Sequence, residues 1–205
     1  MDMIKIDFYF VILIIASIAD LLVPIAIATK YEGYSHFHDT ISSLGTKISP
    51  VQKYQCLNLI IVGLLFVTFS AGQALSFHSL GIFHILYILG ILLFGVGTVM
   101  AGIFPEDPLE SEETASGKIH GISSGMGFIF LILNPLWAVW IEEFETLASF
   151  NKVIFPLAVI SFILFISSGK KKVGIFKHTG LFQRINLTVL YSHLIFNYML
   201  MDKTV

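Results

Sequence analysis

Charge is scarce in this chain. Only 13% of its residues are Asp, Glu, Lys or Arg, 56% are hydrophobic, and the mean hydropathy is +0.84. Soluble domains carry roughly twice that share of charge, so an ordinary water-soluble globule is excluded. Its 12 basic residues stand against 14 acidic ones, a net charge of −2, which leaves no basic field for nucleic acid. Cysteine occurs once, at Cys56, which excludes an internal disulfide framework and a Cys-rich metal centre. Also missing are a Gly-x-Ser-x-Gly elbow, a His-Glu-x-x-His pair, a Walker loop and a dinucleotide fingerprint. The first apolar stretch has no basic segment before it, since Asp2, Lys5 and Asp7 nearly cancel, and no small-x-small site before Lys30. It is expected to be a retained first span, not a cleaved signal peptide.

What the chain has is apolar runs. Six are visible, at about 8–28, 56–75, 82–104, 119–141, 153–167 and 184–200. Hydrocarbon satisfies no backbone polar group, so each run is expected to be a helix. The fold expected is all-α: a polytopic six-transmembrane-helix bundle forming a single membrane domain over residues 1–205. The fifth and sixth runs are short and would need local thinning or tilt. A tight connection over residues 76–81 makes the second and third helices antiparallel neighbours. Gly117, Gly121 and Gly125, with Ser124 and Gly127, form a small-residue stripe, and Gly90, Gly95, Gly97 and Gly102 line the third helix. Close helix packing is the first explanation for such glycines, a ligand cleft beside thin helices the second.

Lys30, Lys47, Lys53, Lys118, Lys170, Lys171, Lys172, Lys177 and Arg184 fall on the side of loops 1, 3 and 5. The positive-inside rule puts those loops in the cytoplasm of a cell-membrane protein, with both termini outside. Membrane lipids are its expected partners, and Trp137, Trp140 and Tyr54 fit the interfacial belts. The Lys170–Lys172 run reads as a topology signal or an anionic-lipid contact.

Polar residues cluster on that same side. Loop 1 carries Ser35-His36-Phe37-His38-Asp39-Thr40-Ile41-Ser42. A helix beginning near Asp39 would set His38 and Ser42 on one face. Imidazole beside carboxylate suits a general base or a metal ligand, whereas Asp39 as a helix N-cap is the plainer reading. Asp107, fenced by Pro105 and Pro108, is held at the end of the third helix, while Glu106, Glu110, Glu112 and Glu113 read as a solvated acidic loop. His120 opens the glycine stripe on a face shared with Ser123 and Ser124. Arg184 is placed to snorkel, to pair with Asp39 or Asp107, or to hold an anionic group. Asp20 and His193 each lie about 13–14 Å deep from this side, and equal depth allows them to pair, with Tyr191 and Asn197 completing the network. Asp20 could equally be a packing residue hydrogen-bonded to a neighbour. His36, His78, His84 and His178 have no evident partner.

His38-Asp39-x-Ile41-Ser42-x-Leu44-Gly45 after the first span, Gly102-x-Phe104-Pro105-x-Asp107 after the third, His120 beyond it, and Gly180-Leu181-x-Gln183-Arg184 before the last form a pattern. In that pattern the chain resembles the prokaryotic membrane family designated domain of unknown function 998. The resemblance spans nearly the whole chain and implies that His38, Asp39, Ser42, Asp107, His120 and Arg184 are the positions to watch. A looser similarity of layout, with no shared motif, is to the androgen-induced-gene family of six-span lipid hydrolases, with Thr40 or Ser42 and His120 in comparable places.

Three functions follow as expectations. One is an intramembrane hydrolase or transferase on a lipid-like substrate. Its base would be His120 and its nucleophile Ser42 or a metal-bound water. Asp39 or Asp107 would orient the base, and Arg184 with His38 would bind substrate. Its metal form would use zinc on His38, Asp107 and His120. The second is a proton-coupled transporter or ligand sensor working through Asp20 and His193. The third is a non-catalytic structural or immunity-type membrane protein.

Overall fold

The computed structural model describes residues 7–77, 80–108, 111–168 and 174–200. His78, Glu110 and Lys170–Lys172 lie outside the described residues, as do the side chains of Glu142 and Glu143. Among the described residues the structure is helical, without strands: α1 (Phe8–Ala28), α2 (Gln52–Ser76), α3 (Ile82–Ile103), α4 (Ala115–Ile132), α5 (Asn134–Ala138), α6 (Ala148–Ser168) and α7 (Thr179–Leu200), with short 3-10 turns between them.

Local chemistry sets the helix ends. Asp7 caps α1 by accepting from Phe10 N at 2.9 Å. Thr114 caps α4 by accepting from Gly117 N at 3.2 Å. The fourth apolar run is two helices, because Pro135 at the start of α5 has no N–H to continue the ladder. Asn134 at the break is buried and donates to Tyr87 O on α3 at 3.0 Å. Loop 1 holds no α-helix. Its 3-10 turn, Ser42–Gly45, starts after Ile41, so the expected helix beginning at Asp39 is replaced by a turn.

Among the described residues five stretches are long and apolar enough to cross a membrane: Phe8–Ala28, Gln52–Ser76, Ile82–Ile103, Ala115–Ala138 and Phe144–Ser168. The chain is a multi-pass membrane protein. The expected fifth and sixth runs are longer than the sequence pattern suggests, since α6 begins at Ala148 and α7 at Thr179. The 21 residues of α6 reach about 31 Å, enough for a hydrocarbon core without thinning. With 22 residues α7 is as long, but Gln183, Arg184, Asn186, His193 and Asn197 keep it out of the apolar set.

Packing explains that composition. The helices pack in the order α1–α2–α3–α4, α5 bridges α3 to α6, α6 packs on α7, and α7 returns to α1. Half of α7 is buried, including Leu187, Leu190, Leu194 and all its amides. Tyr191 stacks on Phe66 of α2 (ring centroids 5.4 Å) and meets Phe94 of α3 edge-on (6.2 Å). Lipid is met instead by Ile15, Ile18 and Leu22 of α1 and by Ile160, Ile163 and Ile166 of α6, all exposed.

Close approach of α2 and α3 rests on Gly63 and Gly95. A Cβ on Gly63 would stand 2.6 Å from Gly95 O, and one on Gly95 would stand 2.9 Å from Gly63 O. The stripe on α4 behaves differently. Gly127 packs on Phe94, but a Cβ at Gly121 or Gly125 would meet nothing within 4 Å, so helix packing inside this chain does not account for those two. Gly63→Ala is therefore expected to lower the thermal unfolding midpoint in detergent, by the roughly 1–3 kcal/mol of an overpacked contact. Gly121→Ala is expected to leave it unchanged or raise it, by up to about 1 kcal/mol of helix propensity.

Candidate functional site

A cleft of about 420 Å³, counting the part open to the surroundings, lies among α1, α2, α3, α4, α7 and loop 1. Its walls are apolar at Ile41, Leu59, Phe94, Ala101, Phe128 and Leu187, and polar at Asp20, Ser42, Thr98, Ser124 and Gln183. Asp20 is buried on α1 and accepts a 2.5 Å hydrogen bond from Tyr191 OH on α7. Thr98 donates to Phe94 O at 2.8 Å and Ser124 to His120 O at 2.7 Å, so both hydroxyl protons are taken by their own helices.

Loop 1 forms one wall and is clasped to the start of α7. Gln183 Oε1 accepts from Ile41 N at 2.6 Å, and Leu181 N donates to Phe37 O at 3.1 Å. Arg184 supplies most of the clasp. Its Nη1 donates to His36 O (2.8 Å), Gly180 O (3.0 Å) and Asp39 O (3.2 Å), and its Nη2 to Tyr34 OH (2.8 Å) and His36 Nδ1 (3.3 Å). His38 Nδ1 donates to Lys177 O at 2.9 Å, and its ring stacks on His178 with centroids 5.0 Å apart. Asp39 closes the loop on itself, its carboxylate accepting from Ser35 N at 2.8 Å. At Gly180 there is no room for a side chain, because a Cβ would overlap the backbone oxygens of Asp39 and His36. Arg184 thus engages both Nη groups with loop 1, largely with backbone carbonyls and not with the Asp39 carboxylate, while its buried Nε has no partner among the described residues.

A second clasp joins α3 to α4. His120 is buried, and its Nδ1 faces Phe104 O at 3.0 Å and Ala101 O at 3.1 Å, so it must donate to these late carbonyls of α3. Asp107 accepts from Thr114 N at 2.7 Å and Thr114 Oγ1 at 2.8 Å. Those two bonds hold its carboxyl below the usual range, with smaller help from Lys47 and His120. Glu106, read in sequence as loop surface, is instead partly buried. Desolvation pushes its carboxyl up, against the lowering effect of His120.

The candidate residues therefore fall into groups. Ser42 and Asp20 reach the cleft. His38, Asp39 and Arg184 belong to the loop 1 clasp, and Asp107 and His120 to the α3–α4 clasp. No hydrogen bond joins Ser42 to His120 among the described residues. Nor do three His, Cys, Asp or Glu side chains there gather to hold a metal ion, so His38, Asp107 and His120 do not fit as a zinc centre. Asp20 and His193 enter separate networks. His193 Nδ1 lies 3.1 Å from Asn151 Oδ1 and 2.8 Å from Asn197 Nδ2, while the two Asn amides bond each other at 2.9 Å. The reason is helical: Tyr191 and His193 are two residues apart, about 200° around α7, so Asp20 can meet only one of them. Sequence reasoning named Gln183 in a motif without giving it a role, and passed over Thr98 and Asn151. The signal for Gln183 was the spacing of Gln183, Asn186, His193 and Asn197, which puts four polar side chains on one stripe of α7.

The long apolar helices and their exposed apolar surface define a multi-pass membrane protein. Within that class, residues 14–196 match the family model described as Protein of unknown function (DUF998), and the chain belongs to that family. Compared with curated proteins and with solved structures, it matches none.

The loop 1 clasp yields a pH prediction. His36 Nδ1 must be unprotonated to accept from Arg184, and burial, then the Arg184 charge, hold its pKa below the ordinary 6.5. An undocked loop binds the proton more readily, so docking is fully present above pH 6.5 and is lost as pH falls through the lower docked value. Amide exchange over residues 35–41, corrected for intrinsic rates, is expected to speed up between about pH 7.5 and about pH 5. Arg184→Lys should raise it about tenfold already at neutral pH, since one ammonium cannot replace the planar fork.

Proposed function

We propose that this membrane protein binds a small membrane-resident molecule in the cleft bounded by loop 1 and α7. The observation that carries the reading is Asp20, an ionisable side chain buried in an apolar helix and set in a cleft wall. Four polar residues from four other segments join it there: Ser42, Thr98, Ser124 and Gln183. Ionisable groups at membrane depth are costly and are retained chiefly where they serve a ligand, an ion or a proton. A few convergent polar groups in an apolar cleft are the usual make-up of a ligand site.

Ligand sensing and transport both begin with such binding, and Asp20 is the anchor in either. His193, bonded to Asn151 and Asn197, is read as a packing residue between α6 and α7. Ester cleavage draws support from Ser42 in the cleft wall, but its base, His120, is outside the lining and engaged with α3 carbonyls. Binding is therefore preferred to hydrolysis. The excess of Lys and Arg on the side of loops 1, 3 and 5 supports a cytoplasmic position for the loop 1 wall.

A photoactivatable eight-carbon alcohol, as a neutral probe, is expected to label the peptides bearing Phe94 and Phe128. Ser124→Phe, which fills the cleft from α4, should cut that labelling about fivefold while the protein stays folded, a loss of about 1 kcal/mol. Labelling that ignores Ser124→Phe would overturn the reading. For orientation, Glu112→Cys in a Cys56→Ser background is expected to react with a membrane-impermeant thiol reagent in inside-out vesicles only; reaction in right-side-out vesicles would reverse the assigned topology.

A further inference from the structure

Resting on that binding reading, we propose that the molecule taken by the cleft carries a primary ammonium group on an apolar chain. Of the lining residues, Asp20 is the one ionisable side chain; no Lys, Arg or His stands in the wall. Arg184, next in sequence to the lining residue Gln183, turns its guanidinium to loop 1, where Nη1 and Nη2 are held by His36, Asp39, Gly180 and Tyr34. Asp20 therefore has a neutral hydrogen-bond donor, Tyr191, as its direct partner, and the Arg184 charge acts on it only through space. A lone carboxylate charge is costly in low-dielectric surroundings, so the site favours a ligand that brings the compensating positive charge.

Two further lining residues favour a donor. Thr98 and Ser124 give their hydroxyl protons to Phe94 O and His120 O, so what they present to the cleft is oxygen lone pairs. With the Asp20 carboxylate they make three acceptors in one wall, which suits the three N–H bonds of a primary ammonium. Phe94 and Phe128 meet edge to face at 5.8 Å in the same wall, and aromatic faces attract cations. Leu59 and Leu187 offer apolar contact for the chain that bears the amine.

The test uses three eight-carbon probes that differ only in the head: octylamine, octanol and octanoate. Equilibrium binding to the full-length protein in phosphatidylglycerol nanodiscs is measured for each. Octylamine is expected to bind about tenfold tighter than octanol, with octanoate weakest. Asp20→Asn should erase the preference and Asp20→Glu should retain part of it. Should Asp20→Asn not fold, Thr98→Val and Ser124→Ala remain: each should weaken octylamine about threefold and octanol by clearly less, so that the preference for the amine narrows. Octanol or octanoate binding as tightly as octylamine would overturn the inference while leaving the cleft a ligand site. Failure of all three to bind saturably would remove the cleft reading itself. Adding phosphatidylethanolamine to the nanodiscs identifies the source. Competition with octylamine assigns the ammonium to a lipid headgroup, and lack of competition assigns it to a free amine; either outcome keeps the proposal.

Discussion

Hydrocarbon offers no hydrogen-bond partner, and the arrangement of this molecule follows from that constraint. The chain concentrates its membrane-depth polar groups on one helix, α7, and surrounds that helix with apolar ones. Asn186 finds Ser161, Tyr191 finds Asp20, and Asn197 finds Asn151, each on a neighbouring helix. Every such pair also fixes the rotation of α7 against its neighbours, so polar satisfaction and helix register are one requirement. The least apolar long helix is the one that lipid touches least.

Two clasps then close the loop side of the bundle. Arg184 ties loop 1 to α7, and His120 with Asp107 ties α4 to the end of α3. Their residues are the ones that make up the short motifs of the chain, and their bonds go largely to backbone oxygens and nitrogens. Side chains that hold backbone are sensitive to exact reach and donor geometry, which gives such motifs a structural reason to be specific. The cleft lies between the clasps and shares Ile41 and Gln183 with one and Ala101 with the other, so its shape depends on both.

Much of this was legible in the residues. The run 8–28 gave α1 to the residue, because an apolar stretch ends at a polar boundary on each side. The start of α7 was not legible. Thr179-Gly180-Leu181-Phe182-Gln183 mixes polar residues with a glycine, and the loop 1 contacts made by Leu181 and Gln183 leave no mark in the sequence. The depth argument allowed Asp20 and His193 to pair with Tyr191 and Asn197 around them, whereas Asp20 bonds Tyr191 and His193 bonds Asn151, since depth ignores the angle around a helix. Arg184 suggested an anion because carbonyl oxygens, its real partners, are the same in every residue and leave no trace in sequence. The glycines of α4 misled in another way: spacing marks a small-residue face but not whether anything packs on it.

The Asp20–Tyr191 bond joins residues 171 positions apart, which has a consequence for how the protein is made. Membrane helices enter the bilayer in order of synthesis, so α1 must be accepted while Tyr191 does not yet exist. During that interval a carboxyl group at the middle of a span costs about 2.5–3.5 kcal/mol on insertion scales. The remainder of α1 offsets it: this span has the highest mean hydropathy of the five, 2.7. The exceptional greasiness of the first helix is thus matched to a polar debt that only the last helix settles.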